Sequence, residues 1–172
     1  MPVRNIRRER VEYLTAVRTY AKTQMGHLGK AKILDAGCGN GAFLRAIKSI
    51  HKSINAVGID KDSKAIKQAV RIESKRPMGL KYAVCQIEKL MFKTSTFDIV
   101  IIALVLHEVE PKARKAMLKE AKRVLKRNGK IIVIDGPLEK NSIIKAMRSL
   151  HMKNINVSKF NDYDNAYTAE KG

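Results

Sequence analysis

Apolar residues recur along this chain in two alternating rhythms. Between residues 9 and 25, Tyr13, Leu14, Val17, Tyr20 and Ala21 fall at helical spacing while Arg10, Arg18 and Lys22 stand off that stripe, which predicts an amphipathic helix closing near Gly26 and Gly29. Short β-rich runs then alternate with helical stretches. The runs are 32–36, 54–59, 80–85, 97–106 and 130–135. Three are almost wholly apolar, as strands covered on both faces should be. Helices fit the intervals at about 41–51, 62–74 and 111–127; the last opens on Pro111, suited to a first helical position, and stops at Asn128-Gly129. The order predicts a parallel α/β sheet. Past Gly136-Pro137 come a helix from about 142 to 151, then Ile155, Val157 and Phe160, with two closing strands around the turn-like Asn161-Asp162-Tyr163-Asp164-Asn165.

At 172 residues, with no repeat or linker, the chain predicts one domain, 1–172, with a helical segment over 1–30 and an α/β core over 31–172. The longest apolar run, from Ile99 to Leu106, falls well short of the ~20 residues a membrane helix needs, so no membrane partner is expected. Glu9, Glu12 and Tyr13 interrupt the place where an export signal would be apolar, and the two cysteines, Cys38 and Cys85, form neither a disulfide framework nor a zinc motif. A cytoplasmic setting and no metal site are the expectation.

The chemistry concentrates in Ile33-Leu34-Asp35-Ala36-Gly37-Cys38-Gly39-Asn40-Gly41-Ala42, which begins as a strand and ends where a helix starts. Three glycines let the backbone approach a ligand closely, and the helix N-terminus offers free N–H groups. Gly37, Gly39 and Ala42 also satisfy a dinucleotide signature, with Asp60 closing the next strand about 20 residues on, placed to hold ribose hydroxyls. The pattern alone does not separate NAD from other adenosyl ligands. Asp35 shifts the balance, because a carboxylate two residues before the first glycine opposes a pyrophosphate and suits an ammonium or sulfonium.

With Asp35 and its three glycines, the segment resembles motif I of class I S-adenosylmethionine-dependent methyltransferases. Gly58-Ile59-Asp60 is similar to their second motif, Cys85 to Phe92 followed by Phe97-Asp98-Ile99-Val100 to the third motif and fourth strand, and Gly129 to Ile134 to the fifth. The resemblance implies a Rossmann-like fold: a seven-stranded, mostly parallel sheet in the order 3-2-1-4-5-7-6, strand 7 antiparallel, with helices on both faces. It implies S-adenosylmethionine as cofactor and S-adenosylhomocysteine as product. The methionine moiety would lie by Asp35, Gly37 and Gly39, the ribose on Asp60, and the adenine beside Ile59 and Lys61; Cys38, a nucleophile by residue type, sits inside the loop with no His nearby in sequence and is read as packing under the ligand. Gln86 stands where many relatives carry an acid toward the adenine amino group; its amide oxygen accepts that bond without charge assistance, and Ile87 adds a backbone contact.

His107 and Glu108 follow the fourth strand directly, at the edge where α/β proteins place ligands, and are the candidates for lining the acceptor pocket or taking its proton. Asp98, opening that strand, is assigned no chemistry. The methyl acceptor stays unidentified; Leu106-His107-Glu108-Val109-Glu110 stands where base-amino methylases carry a distinct Pro-Pro motif, which disfavours that class.

Lys plus Arg number 35 against 16 Asp plus Glu, a formal charge of +19. Residues 1–32 hold eight basic and two acidic groups, residues 111–130 nine and one, so these two regions account for 14 of the 19. In the second, Ala113, Ala116, Met117, Ala121, Val124 and Leu125 predict a buried stripe that leaves Lys112, Lys115, Lys119, Lys122, Arg123 and Lys126 to water. Such a surface suits RNA, so an RNA methyltransferase is an alternative, as is a non-catalytic adenosyl-binding subunit of a partner.

Overall fold

A computed structural model describes residues 6–136 and 140–172, with side chains from Glu9 onward; Arg4, Arg7, Arg8 and Pro137 fall outside the described side chains. Helix α1 (Ile6–Thr23) precedes β1 (Lys32–Ala36), α2 (Ala42–Ile50), β2 (Asn55–Asp60), α3 (Ser63–Lys75) and β3 (Lys81–Val84). There follow β4 (Phe97–Ala103), α4 (Pro111–Val124), β5 (Leu125–Asp135), α5 (Lys140–Ser149), β6 (Met152–Lys159) and β7 (Asn165–Lys171). The strands form one sheet in the order β3-β2-β1-β4-β5-β7-β6, with β7 antiparallel to both neighbours, as the resemblance implied.

β1 is central because its side chains are apolar on both faces. Ile33 and Leu34 are fully buried on opposite sides, and the strand pairs in parallel with β2 and β4 so that Asp35 lies level with Gly58 and Ile101. One apolar layer joins Ile33, Ile99 and Ile101 to Val17 and Ala21 of α1 and Leu44 and Ile47 of α2. The other joins Leu34, Val100, Ile102 and Val133 to Leu118 and Val124 of α4 and Met147 of α5. Each such side chain contributes about 1.5–3 kcal/mol by leaving water, which fixes the sheet edge on which the glycine loop sits. Among the described residues no helix is long and apolar enough to cross a membrane.

Three local expectations are corrected. α4 ends at Val124 and not at 127: Leu125 is extended and crosses into the sheet opposite Phe97, and Asn128, at φ 61°, turns the chain back into register. β4 ends at Ala103 because Leu104 takes φ 57°, and Leu106–Glu108 form a 3-10 turn. The cations of α4 and the start of β5 are not a uniform solvated row. Lys112, Lys115 and Lys119 are exposed. Lys122 donates to the Leu150 carbonyl, Arg123 to the carbonyls of Leu90 and Phe92 and to Glu120, and Lys126 to Asp98. Asp98 is therefore a structural tie: its other oxygen accepts from the Lys32 amide at 2.8 Å. Burial pulls its pKa upward, but these hydrogen bonds prevail and hold it below the ordinary carboxylate value.

Candidate functional site

The site grows from the turn between β1 and α2. Gly37 and Gly39 take φ of 88° and 52°, in the left-handed region that side chains resist. The amides of Gly37 and Cys38 both donate to the Ile59 carbonyl, at 2.8 and 2.9 Å, which pins the loop to the end of β2. A methyl group on Gly37 would stand 2.4 Å from Val105 Cγ2, whereas one on Gly39 would meet nothing within 4 Å. The loop is thus braced at Gly37 and open at Gly39. Asp60 completes it: one carboxylate oxygen accepts from the Gly39 amide at 2.8 Å and the other from the Asp62 amide at 2.9 Å, leaving each a further lone-pair direction for a hydroxyl donor.

Asp35 is 1% exposed, and neither of its oxygens has a hydrogen-bond partner. Burial, reinforced by the nearby Asp60 carboxylate, pushes its pKa up to about 7. A buried carboxylate without a donor is costly in a native protein unless a cation or donor meets it, so the residues present fit a ligand carrying an ammonium group. Cys38 is buried, and burial followed by the fields of Asp35 and Asp60 drives its thiol pKa far above the ordinary value, which favours the packed thiol over the thiolate. Ile59 is wholly inside the core and serves the loop through its carbonyl. Lys61 and Gln86 are exposed at the ends of β2 and β3, and Ile87 is buried, its Cδ1 3.6 Å from the position a methyl on Gly37 would take.

Across the switch point between β1 and β4, His107 lies two residues beyond Val105 in the 3-10 turn. Its Nδ1 is 2.8 Å from Oδ1 of Asp135, a residue that the sequence reading placed only at a strand end. Asp135 is 1% exposed and also accepts from the amides of Gly136 (2.9 Å), Leu106 (2.9 Å) and His107 (3.2 Å). An acid closing the apolar run Ile131 to Ile134, one strand over from His107, was the signal available. Glu108 is 69% exposed, with Oε1 3.9 Å from His107 Nε2, too far for a hydrogen bond. Among the described residues no group of three or more His, Cys, Asp or Glu could hold a metal ion.

Comparison with known proteins identifies the family. Residues 34–133 match the model of the methyltransferase domain family. An uncharacterised protein of Methanocaldococcus jannaschii is 35% identical over 121 residues, covering 70% of this chain and 51% of that one. A ubiquinone/menaquinone biosynthesis C-methyltransferase of Rickettsia massiliae is 33% identical over 129 residues, covering 72% and 51%. The chain spans about half the length of these relatives. Among solved structures, a SAM-dependent methyltransferase from Aquifex aeolicus superposes with a TM-score of 0.80 at 17% identity, covering 95% of this chain and 96% of that one. The magnesium protoporphyrin IX methyltransferase of Synechocystis, solved with bound SAM, superposes with a TM-score of 0.78 at 18% identity, covering 100% and 86%. With its glycine loop, acidic pair and sheet order in place, the chain belongs to the class I S-adenosylmethionine-dependent methyltransferase family.

Proposed function

We propose that this protein transfers a methyl group from S-adenosylmethionine to a small aromatic acceptor of the quinol type. The observation that carries the cofactor half is the buried, unpartnered Asp35 carboxylate beside the open backbone at Gly39. When bound, the cofactor supplies an electrophilic methyl on a sulfonium. The chain supplies binding and alignment. Asp35 meets the ammonium, the backbone of Gly37 and Gly39 admits the methionine moiety, and Asp60 accepts from the ribose hydroxyls. Lys61, Gln86 and Ile87 border the adenine. His107 lines the acceptor side, with Glu108 at its rim. The acceptor class draws its support from the names of quinone C-methyltransferases among the relatives. S-adenosylhomocysteine should raise the melting temperature where NAD does not, because only a native-state ligand stabilises. Labelled methyl from S-adenosylmethionine should then enter a naphthohydroquinone; label in protein or RNA fractions alone would refute the acceptor.

One observation favours a second reading, methyl transfer to RNA. Arg10, Arg18, Lys75 and Arg76 line a groove of about 560 Å³ along α2, and among the described residues none of their side chains pairs with an acid, while Arg45 beside them pairs with Glu73. RNA retention that falls steeply with salt and is lost on reversing Arg10 and Arg18 would support it.

A further inference from the structure

From the hydrogen bonding around Asp135, we infer that Asp135 is a positioning residue that turns the His107 ring so that Nδ1–H faces its carboxylate and Nε2 faces the acceptor as the base. The acceptor is then a compound whose attacking atom must shed a proton, a phenol or enol and not a thioether or pyridine nitrogen. This rests on the methyl-transfer reading above.

The argument is one of donor and acceptor count. A carboxylate has about four lone-pair directions and no proton to give. Three at Asp135 are taken by the backbone amides of Leu106, His107 and Gly136. The fourth, on Oδ1, points at His107 Nδ1 at 2.8 Å. Only a protonated Nδ1 completes the set, so the neutral imidazole carries its lone pair on Nε2. That atom has no hydrogen-bond partner among the described residues, and the His107 side chain is 45% exposed. Two of the three amides belong to the turn bearing His107, so the same carboxylate fixes both the backbone and the ring. A turn needing only a cap would not require the ring nitrogen.

The step balances as follows. The acceptor's carbon or oxygen bonds to the methyl carbon while the carbon–sulfur bond breaks and leaves its electron pair on sulfur. The proton of the acceptor's O–H or C–H passes to Nε2, and the positive charge lost at sulfur reappears on the imidazolium, whose Nδ1–H faces the Asp135 carboxylate. Water then takes the proton. A thioether or pyridine nitrogen has no such proton.

The test is read first without turnover. In ¹⁵N-labelled protein with S-adenosylhomocysteine, long-range ¹H–¹⁵N spectra should show His107 as the Nδ1–H tautomer, and the Asp135→Asn variant should move it toward Nε2–H. An Nε2–H tautomer in the native protein overturns the proposal. In the second arm, His107→Ala should keep its affinity for S-adenosylhomocysteine but lose about 100-fold or more in kcat with a naphthohydroquinone. Added imidazole should restore part of the loss, which repair of a structural defect would not explain. Full turnover by His107→Ala, preference for a methyl thioether, or no transfer to the hydroquinone by cofactor-bound native protein overturns the proposal. Failure to bind S-adenosylhomocysteine sinks the methyltransferase reading instead and leaves the tautomer measurable in the unliganded chain.

Discussion

Replacing Asp35 by Asn separates a binding residue from a structural one, because the two roles predict opposite changes. The Asp35 carboxyl rises from 3.8 to about 7 by burial and by the field of Asp60. A group raised on folding contributes its full stability below its unfolded pKa and loses it as pH rises through its folded one. At about 1.4 kcal/mol per unit, the raised pKa costs the unliganded protein about 4 kcal/mol at pH 8, where the carboxyl is ionised, and about 2 kcal/mol at pH 5, where folding must hold it protonated. Asn keeps the shape, removes the charge and leaves a buried amide unpaired, which costs about 1–3 kcal/mol. The variant should therefore melt about 4–8 °C above the native protein at pH 8, from a net gain of about 2 kcal/mol, and near it at pH 5. Binding should move the other way. Losing a charged hydrogen-bond partner worth about 1.5–3 kcal/mol weakens S-adenosylhomocysteine roughly 10- to 150-fold by calorimetry. Native affinity should also rise with pH up to about 7 and then level, while the variant's stays flat. A variant that melts lower at pH 8 and binds S-adenosylhomocysteine with native affinity would refute the reasoning.

Other substitutions test the surrounding geometry. Gly39→Ala should fold, since its methyl meets open space, with a loss of about 1 kcal/mol from the left-handed backbone, yet bind S-adenosylhomocysteine at least tenfold more weakly. Gly37→Ala, driven into Val105, should instead lose several kcal/mol in denaturant unfolding. Asp60→Ala removes the acceptor for the Gly39 and Asp62 amides as well as for the ribose, and should weaken S-adenosylhomocysteine at least tenfold; unchanged calorimetric binding would show the ribose assignment wrong. Leu118→Ala, in the layer between α4 and the sheet, should cost about 2–5 kcal/mol in stability and leave cofactor affinity alone.

These residues also show how far a sequence can be read. The parallel α/β sheet was legible because strands buried on both faces must be apolar throughout, and Ile33-Leu34 and Ile99 to Ile102 are so without interruption, whereas the strand order was implied only by the family resemblance. The glycine loop was legible because its backbone conformations forbid side chains locally. What was missed depends on partners distant in sequence. Leu125 has the pattern of a helix residue and becomes a strand residue because Phe97 lies beside it. Lys122, Arg123 and Lys126 have the spacing of a solvated face, yet each meets a carbonyl or carboxylate 28 or more residues away.

Asp135 is the same case inside the site. Nothing within its own strand distinguishes it from a solvated strand end. Its burial becomes tolerable only when the turn after β4, 28 or 29 residues earlier, brings two amides and an imidazole to it. Asp35 sits at the equivalent end of β1, as deeply buried, and finds no donor at all. Two acids with one degree of burial and opposite satisfaction divide the crevice. The one whose partners are internal fixes the orientation of a neighbouring ring, and the one without a partner is the residue assigned to the cofactor in the proposed function. On the function proposed above, the cofactor's charge would lie over β1 and the acceptor's proton over the boundary of β4 and β5.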